Sequence, residues 1–140
     1  MRVLLDTDVV LDVILAREPF AKIAAELFDL SEQGLFEAYI AGITPLNIFY
    51  IARKAKSSGD LRKAVKELLL STHVCPVTHE ILSQAFALPF SDYEDAVQHA
   101  SATASGLDAI VTRNLEDYKN ATLPIFSPTD FLNQLKAQNP

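Results

Sequence analysis

The chain has 140 residues, 49% of them apolar, a single cysteine, and a formal charge of −6. That length suits one domain able to bury a core without staples, while the lone Cys75 excludes an intrachain disulfide and points to a buried thiol in a reducing, cytoplasmic setting. Met1 to Leu5 reach Asp6 too soon for a signal peptide or a membrane span, and an acidic chain does not attract polyanions over its whole surface.

Taken in order, residues 3–5 predict a buried strand ending at Asp6, and residues 9–15 a helix that Glu18-Pro19 breaks. Ile23, Leu27, Phe28 and Leu30 give helical spacing over 21–31, with Gly34 as its stop. Residues 38–41 are a short strand candidate. Thr44-Pro45 predicts a capping hydroxyl and a proline at the first helical position, opening a helix to about residue 56. Ser57-Ser58-Gly59-Asp60 separates it from a helix ending near Leu70. Residues 74–77 predict a strand that Pro76 keeps short or at a sheet edge, and Thr78 caps the next helix. Ser91-Asp92-Tyr93-Glu94 reads as a capping box with serine at the cap. Its helix continues to Ser105 and stops at Gly106, with Tyr93, Val97, Ala100 and Ala104 facing the core. Residues 109–111 and 124–126 are strands, and Ser127-Pro128 opens the last helix. Short apolar runs alternating with helices predict an α/β fold with a mostly parallel sheet.

Ligands of open α/β sheets bind outside the carboxyl ends of the strands. Asp6 ends the first strand, and Thr112, Asn114 and Asp117 follow the strand over 109–111. Asp92 and Asp95, at i and i+3, share one helix face. Carboxylates remote in sequence but meeting at one edge suit a hard cation such as Mg²⁺ or Mn²⁺, which activates water and stabilises a phosphodiester under attack. Asp92 and Glu94 also fit plain capping and dipole roles, and Glu94 fits them better. His73, His79 and His99 lack zinc-ligand spacing, and the chain has no Gly-rich phosphate loop and no G-x-S-x-G elbow. Positive charge is local: six of the twelve Lys and Arg lie from Arg53 to Lys66, opposed there only by Asp60. Arg53, Lys54 and Lys56 are the candidate nucleic-acid contacts.

Three blocks then resemble a known family. Leu5-Asp6-Thr7-Asp8-Val9-Val10-Leu11-Asp12 looks like the opening motif of PIN domains. Asp92-Tyr93-Glu94-Asp95-Ala96-Val97-Gln98 resembles the D-F-E-D-A-x-Q block of a bacterial PIN subfamily, and Ile110-Val111-Thr112-Arg113-Asn114-Leu115-Glu116-Asp117-Tyr118 its I-V-T-R-N-x-x-D-F block. The closing residues 124–132 fit as well. The resemblance implies a single PIN-like domain over residues 1–140, three-layered, with a central parallel sheet flanked by helices. It implies Mg²⁺- or Mn²⁺-dependent RNA cleavage, and membership of VapBC-type toxin–antitoxin pairs with a cognate antitoxin as partner. Small members usually pair, and the apolar residues 46–51 fit a homodimer.

Carried over by position, Asp6 is the first metal-binding acid and Asp95 the third. Asn47 stands where the family's second acid is usually a glutamate. Asn114 stands at the fourth position, with Asp117 close behind it to supply charge. Thr112 is expected to hydrogen-bond near the site, and Asp92 to compensate for the missing acid. Two other readings remain: a PIN-like domain with a weakened site that only binds RNA or protein, and a haloacid-dehalogenase-like phosphohydrolase using Asp6 and Asp8 with Thr112 and Lys119.

Overall fold

The computed structural model describes residues 1–140. Strands β1 (Arg2–Leu5), β2 (Glu37–Ala41), β3 (His73–Cys75), β4 (Ala109–Val111) and β5 (Ile125–Phe126) form one parallel sheet in the order β3-β2-β1-β4-β5. The helices are α1 (Thr7–Ile14), α2 (Ala21–Glu32), α3 (Thr44–Ala52), α4 (Ser58–Ser71), α5 (His79–Ala85), α6 (Tyr93–Ala104) and α7 (Pro128–Gln138), with a 3-10 turn at Leu115–Tyr118. This is the α/β, PIN-like arrangement of a parallel sheet between helical layers.

The strands alternate sides with a period of two, so each strand feeds both layers. Val3 and Leu5 of β1, with Ala109 and Val111 of β4, pack into the larger core beneath α1, α2, α3, α4 and α7. Leu4 and Ile110 point the other way, onto Ala102 of α6, Leu107 and Tyr118. The side chains of residues 3–5 and 109–111 are fully buried, each leucine or valine contributing roughly 1.5–3 kcal/mol by removal from water. β3 ends just before Pro76 and lies at the sheet edge, where a missing N–H costs no ladder bond. Cys75 at its end is a buried free thiol.

The caps are less regular than the sequence predicts. Thr44 does not cap α3: Ile43 holds that position, and the Thr44 hydroxyl instead meets that of Thr7 at 3.0 Å. α3 stops at Ala52, four residues early, and Ser57 caps α4 by accepting from the Asp60 amide, so Ser58, Gly59 and Asp60 lie inside a helix rather than between two. Asp92, not Ser91, caps α6, its carboxylate accepting from the Asp95 amide at 3.0 Å. α6 is buried continuously from Asp95 to Ala102, while Tyr93 and Ala104 are exposed rather than core. No helix is long and apolar enough to cross a membrane.

The chain runs from β1 outward to β2 and β3, then returns to β4 on the opposite side of β1. The carboxyl ends of β1 and β4 therefore form the topological switch point, where connections leave in opposite directions and open a crevice. Asp6 and Thr112 follow directly on those two strands.

Candidate metal and active site

Asp6 is almost wholly buried, yet both its carboxylate oxygens are held. The Gln98 amide donates to one at 2.9 Å and the Thr112 hydroxyl to the other at 2.8 Å. The same Thr112 oxygen accepts from the Asn114 amide at 3.0 Å, which pins the turn after β4. The Gln98 carbonyl oxygen accepts from the Thr7 amide at 3.3 Å, an arrangement that fixes which end of the side chain faces Asp6. From Gln98 the network continues to the Tyr118 hydroxyl at 3.4 Å, which donates to Asp95 at 3.3 Å. Asp6 and Asp95 are thus joined through two neutral side chains.

Around them lies an open cleft of about 290 Å³, lined by Asp6, Thr7, Asp8, Leu11, Arg17, Ile51, Asp92, Glu94, Asp95, Asn114 and Asp117. Six of these are carboxylates and one is a cation. Burial, then the charge of Asp6, pushes Asp95 up to about 8 and Asp8 up to about 7. Glu94 is raised by burial and by Asp6 and Asp92, against the opposing effect of nearby Asn47 and Thr7. Asp6 is raised by burial despite the bonds from Gln98 and Thr112. The Tyr118 hydroxyl is pushed far up by burial and then by Asp6, so it remains a neutral donor.

Behind the cleft, Asp12 accepts two bonds from Arg113, at 2.7 and 3.0 Å, and is itself fully buried. The Arg113 guanidinium also lies over the Phe20 ring at 4.0 Å. This fork-to-fork pair fastens the turn after β4 to α1 across 101 residues.

The donor set fits a divalent cation. Both Asp8 oxygens are buried with no hydrogen-bond partner, an arrangement that needs a proton or a cation to be tolerable. No three His, Cys, Asp or Glu side chains stand close enough to hold an ion between them. Mg²⁺ nonetheless is commonly held by one or two carboxylates and keeps several waters, and the open cleft provides that many acids.

The structure brings Asp6, Asp92, Asp95, Asn114 and Asp117 to one cleft, with Thr112 hydrogen-bonded to Asp6 at its floor. Asn47 sits beside Glu94 rather than in the lining. Arg53, Lys54 and Lys56 are exposed just beyond the end of α3, outside the cleft, and the Arg53 guanidinium folds back over the Tyr50 ring and carbonyl. Lys119, required by the phosphohydrolase reading, pairs with Glu116 at 3.0 Å and lies outside the lining, which removes that reading's essential cation. Glu94, read from sequence as a helix-start residue, does lie in the first turn of α6 and lines the cleft as well. Gln98, Asp12, Arg113, Tyr118 and Arg17 join the site only in the folded chain. Gln98 lies one turn beyond Asp95 on the same face of α6, and Asp12 is an acid in an apolar helix, so each carried a spacing signal.

The PIN domain family model matches residues 2–116. No curated protein sequence matches the chain. VapBC2 from Rickettsia felis, bound to a DNA fragment from its promoter, has the same fold with a TM-score of 0.71 at 14% identity, over 91% of this chain and 98% of that one. DNA-bound VapBC from Salmonella typhimurium gives 0.70 at 21%, again over 91% and 98%. VapC20 of Mycobacterium tuberculosis, a sarcin–ricin loop cleaving toxin, gives 0.64 at 13%, over 77% and 86%. The likeness of fold agrees with a family match running from β1 into the turn after β4, through both strand ends that carry Asp6 and Thr112: the chain belongs to the PIN domain family.

Proposed function

We propose that this protein is a Mg²⁺- or Mn²⁺-dependent ribonuclease that hydrolyses RNA phosphodiester bonds and acts in the cytoplasm as the toxin of a toxin–antitoxin pair. The observation that carries this reading is the convergence of Asp6, Asp8, Glu94 and Asp95 on one cleft at the switch point of the sheet. Membership of the PIN family and the likeness of fold to a sarcin–ricin loop cleaving toxin support it.

Asp6 and Asp95 would hold the cation, with Asp92 and Asp117 flanking it. When bound, the cation supplies charge neutralisation at the phosphate and eases deprotonation of the attacking water. The chain's own residues do the orienting. Gln98 and Thr112 keep Asp6 from rotating, and Tyr118 steadies Asp95. Asn114 and Asn47 offer neutral oxygens, and Glu94 supplies near Asn47 the charge that Asn47 lacks. Arg53, Lys54 and Lys56 would draw the RNA backbone toward the cleft.

A cognate antitoxin partner is supported by the VapBC complexes among the similar folds. A homodimer through α3 is supported by Leu46 and Tyr50, which are 73% and 69% exposed while Phe49 packs against the core. The neutral side chains Asn47 and Asn114 favour a second reading, a PIN domain that binds RNA or protein without cutting. The test is the purified protein on mixed-sequence RNA, with Mn²⁺ and with chelator. Cleavage with Mn²⁺ only supports the nuclease; RNA binding without cleavage supports the second reading.

A further inference from the structure

The acidic cleft contains one basic side chain, Arg17, and the pair that would explain it structurally is already complete without it. Arg17 approaches only Asp12, at 3.9 Å, with a third of its side chain exposed. Asp12 meanwhile takes two much shorter bonds from Arg113, at 2.7 and 3.0 Å, one to each oxygen. Arg17 forms no ion pair with any of the cleft's own carboxylates.

Its backbone, by contrast, is firmly held. The Arg17 amide donates to the Asp12 carbonyl at 3.0 Å, and its own carbonyl accepts from Phe20 at 2.9 Å and Ala21 at 2.7 Å. A guanidinium with most of its five donors unspent, on a backbone already anchored, can take a ligand without rearranging the turn that carries it. The group it fits is a planar or tetrahedral oxyanion approached through a fork.

We propose that Arg17 binds a backbone phosphate of the RNA at the mouth of the acidic cleft, supplying the fixed positive charge that the carboxylate-lined walls lack. This rests on the ribonuclease reading and deepens it. A phosphate entering among Asp6, Asp8, Asp92, Glu94, Asp95 and Asp117 meets repulsion on nearly every side. A metal ion offsets that repulsion only at the scissile group, whereas Arg17 acts at the rim in every metal state.

The test compares parent, Arg17→Ala and Arg17→Lys. Binding of a mixed-sequence single-stranded RNA is measured by anisotropy in Ca²⁺ across a salt series, cleavage in Mn²⁺, and thermal unfolding in parallel. In Arg17→Ala, Kd should rise about tenfold, as for loss of a charge-assisted hydrogen-bond pair. The slope of log Kd against log salt should fall by about 0.7, the increment for one single-strand phosphate. Arg17→Lys should keep the slope but recover only part of the affinity, and Tm should match the parent's, since an ion pair as long as 3.9 Å contributes little. An unchanged salt slope in Arg17→Ala, with or without a lower Tm, overturns the proposal and leaves Arg17 a fastening of the α1–α2 turn. If the parent neither binds nor cuts RNA, the ribonuclease reading itself fails, and this proposal with it.

Discussion

The Gln98 side chain donates to Asp6 at 2.9 Å across 92 residues of sequence, and its other end is fixed by the Thr7 amide. A buried acid at the end of a buried strand is therefore held in one rotamer by a neutral group, not by a cation. That leaves its negative charge in the cleft. Gln98→Ala should cost about 1–3 kcal/mol, the penalty for leaving a buried acceptor unmatched, read by urea denaturation. Gln98→Glu should be worse, since it sets a second carboxylate against Asp6. Parent-like stability in both variants would show that the bond does not hold Asp6.

The crowding of acids has a consequence for pH. Asp95 and Asp8, raised to about 8 and 7 in the fold, are ionised in the unfolded chain well below those values. The folded state therefore holds protons that the unfolded state has lost, and stability falls as pH rises. Below pH 7 the buried His99, held neutral by burial, works in the opposite direction. From pH 7 to 8.5 that opposition is gone, so metal-free Tm should decline across this window. Asp95→Asn should flatten the decline and raise Tm at pH 8 by several degrees, roughly 1–2 kcal/mol. A Tm that rises with pH there would mean the cleft is not electrostatically strained.

Arg113 should behave as structure rather than chemistry. Arg113→Ala leaves Asp12 buried and unpaired, at a cost of about 3–5 kcal/mol; Arg17, at 3.9 Å, offsets only part of it. Replacing both partners by neutral polar side chains, Asp12→Asn with Arg113→Gln, should be milder than the single change. A single change milder than the double would show that the pair is dispensable.

Much of this organisation was legible in the chain. The strand ending at Asp6 and the strand over 109–111 were readable because an apolar run stopped by an acid or by a turn leaves few other interpretations. The frame of α6 was not. Ser91-x-x-Glu94 matches the capping-box pattern, while Asp92 offers only a good N-cap side chain, and packing decides between them. Asp92 won, and Glu94, still in the first turn of the helix, also forms part of the cleft wall. The Asp12–Arg113 pair and the Gln98–Asp6 bond were illegible for a different reason: each joins elements about 100 residues apart, and a single sequence carries no record of which distant residues meet.

The basic run beyond α3 bears on RNA capture rather than cleavage. Replacing Arg53, Lys54 and Lys56 by Ala should weaken RNA binding and flatten its salt dependence by up to about 0.7 per lost contact. Mn²⁺ affinity should stay near the parent value, since all three lie outside the acidic cleft. An unchanged salt slope would reduce this stretch to a solvated face.

Catalysis at this cleft requires that Asp6 and Asp95 hold a cation together. Titrating Mn²⁺ into the parent, Asp6→Asn and Asp95→Asn by calorimetry at pH 7.5, alongside RNA cleavage, tests this directly. The parent should bind with release of protons, because carboxylates raised by burial must ionise to ligate. Each variant should lose most of that affinity and at least about a hundredfold in cleavage rate, equivalent to about 2.7 kcal/mol of barrier, while remaining folded. Parent-like Mn²⁺ binding and cleavage in either variant would contradict it.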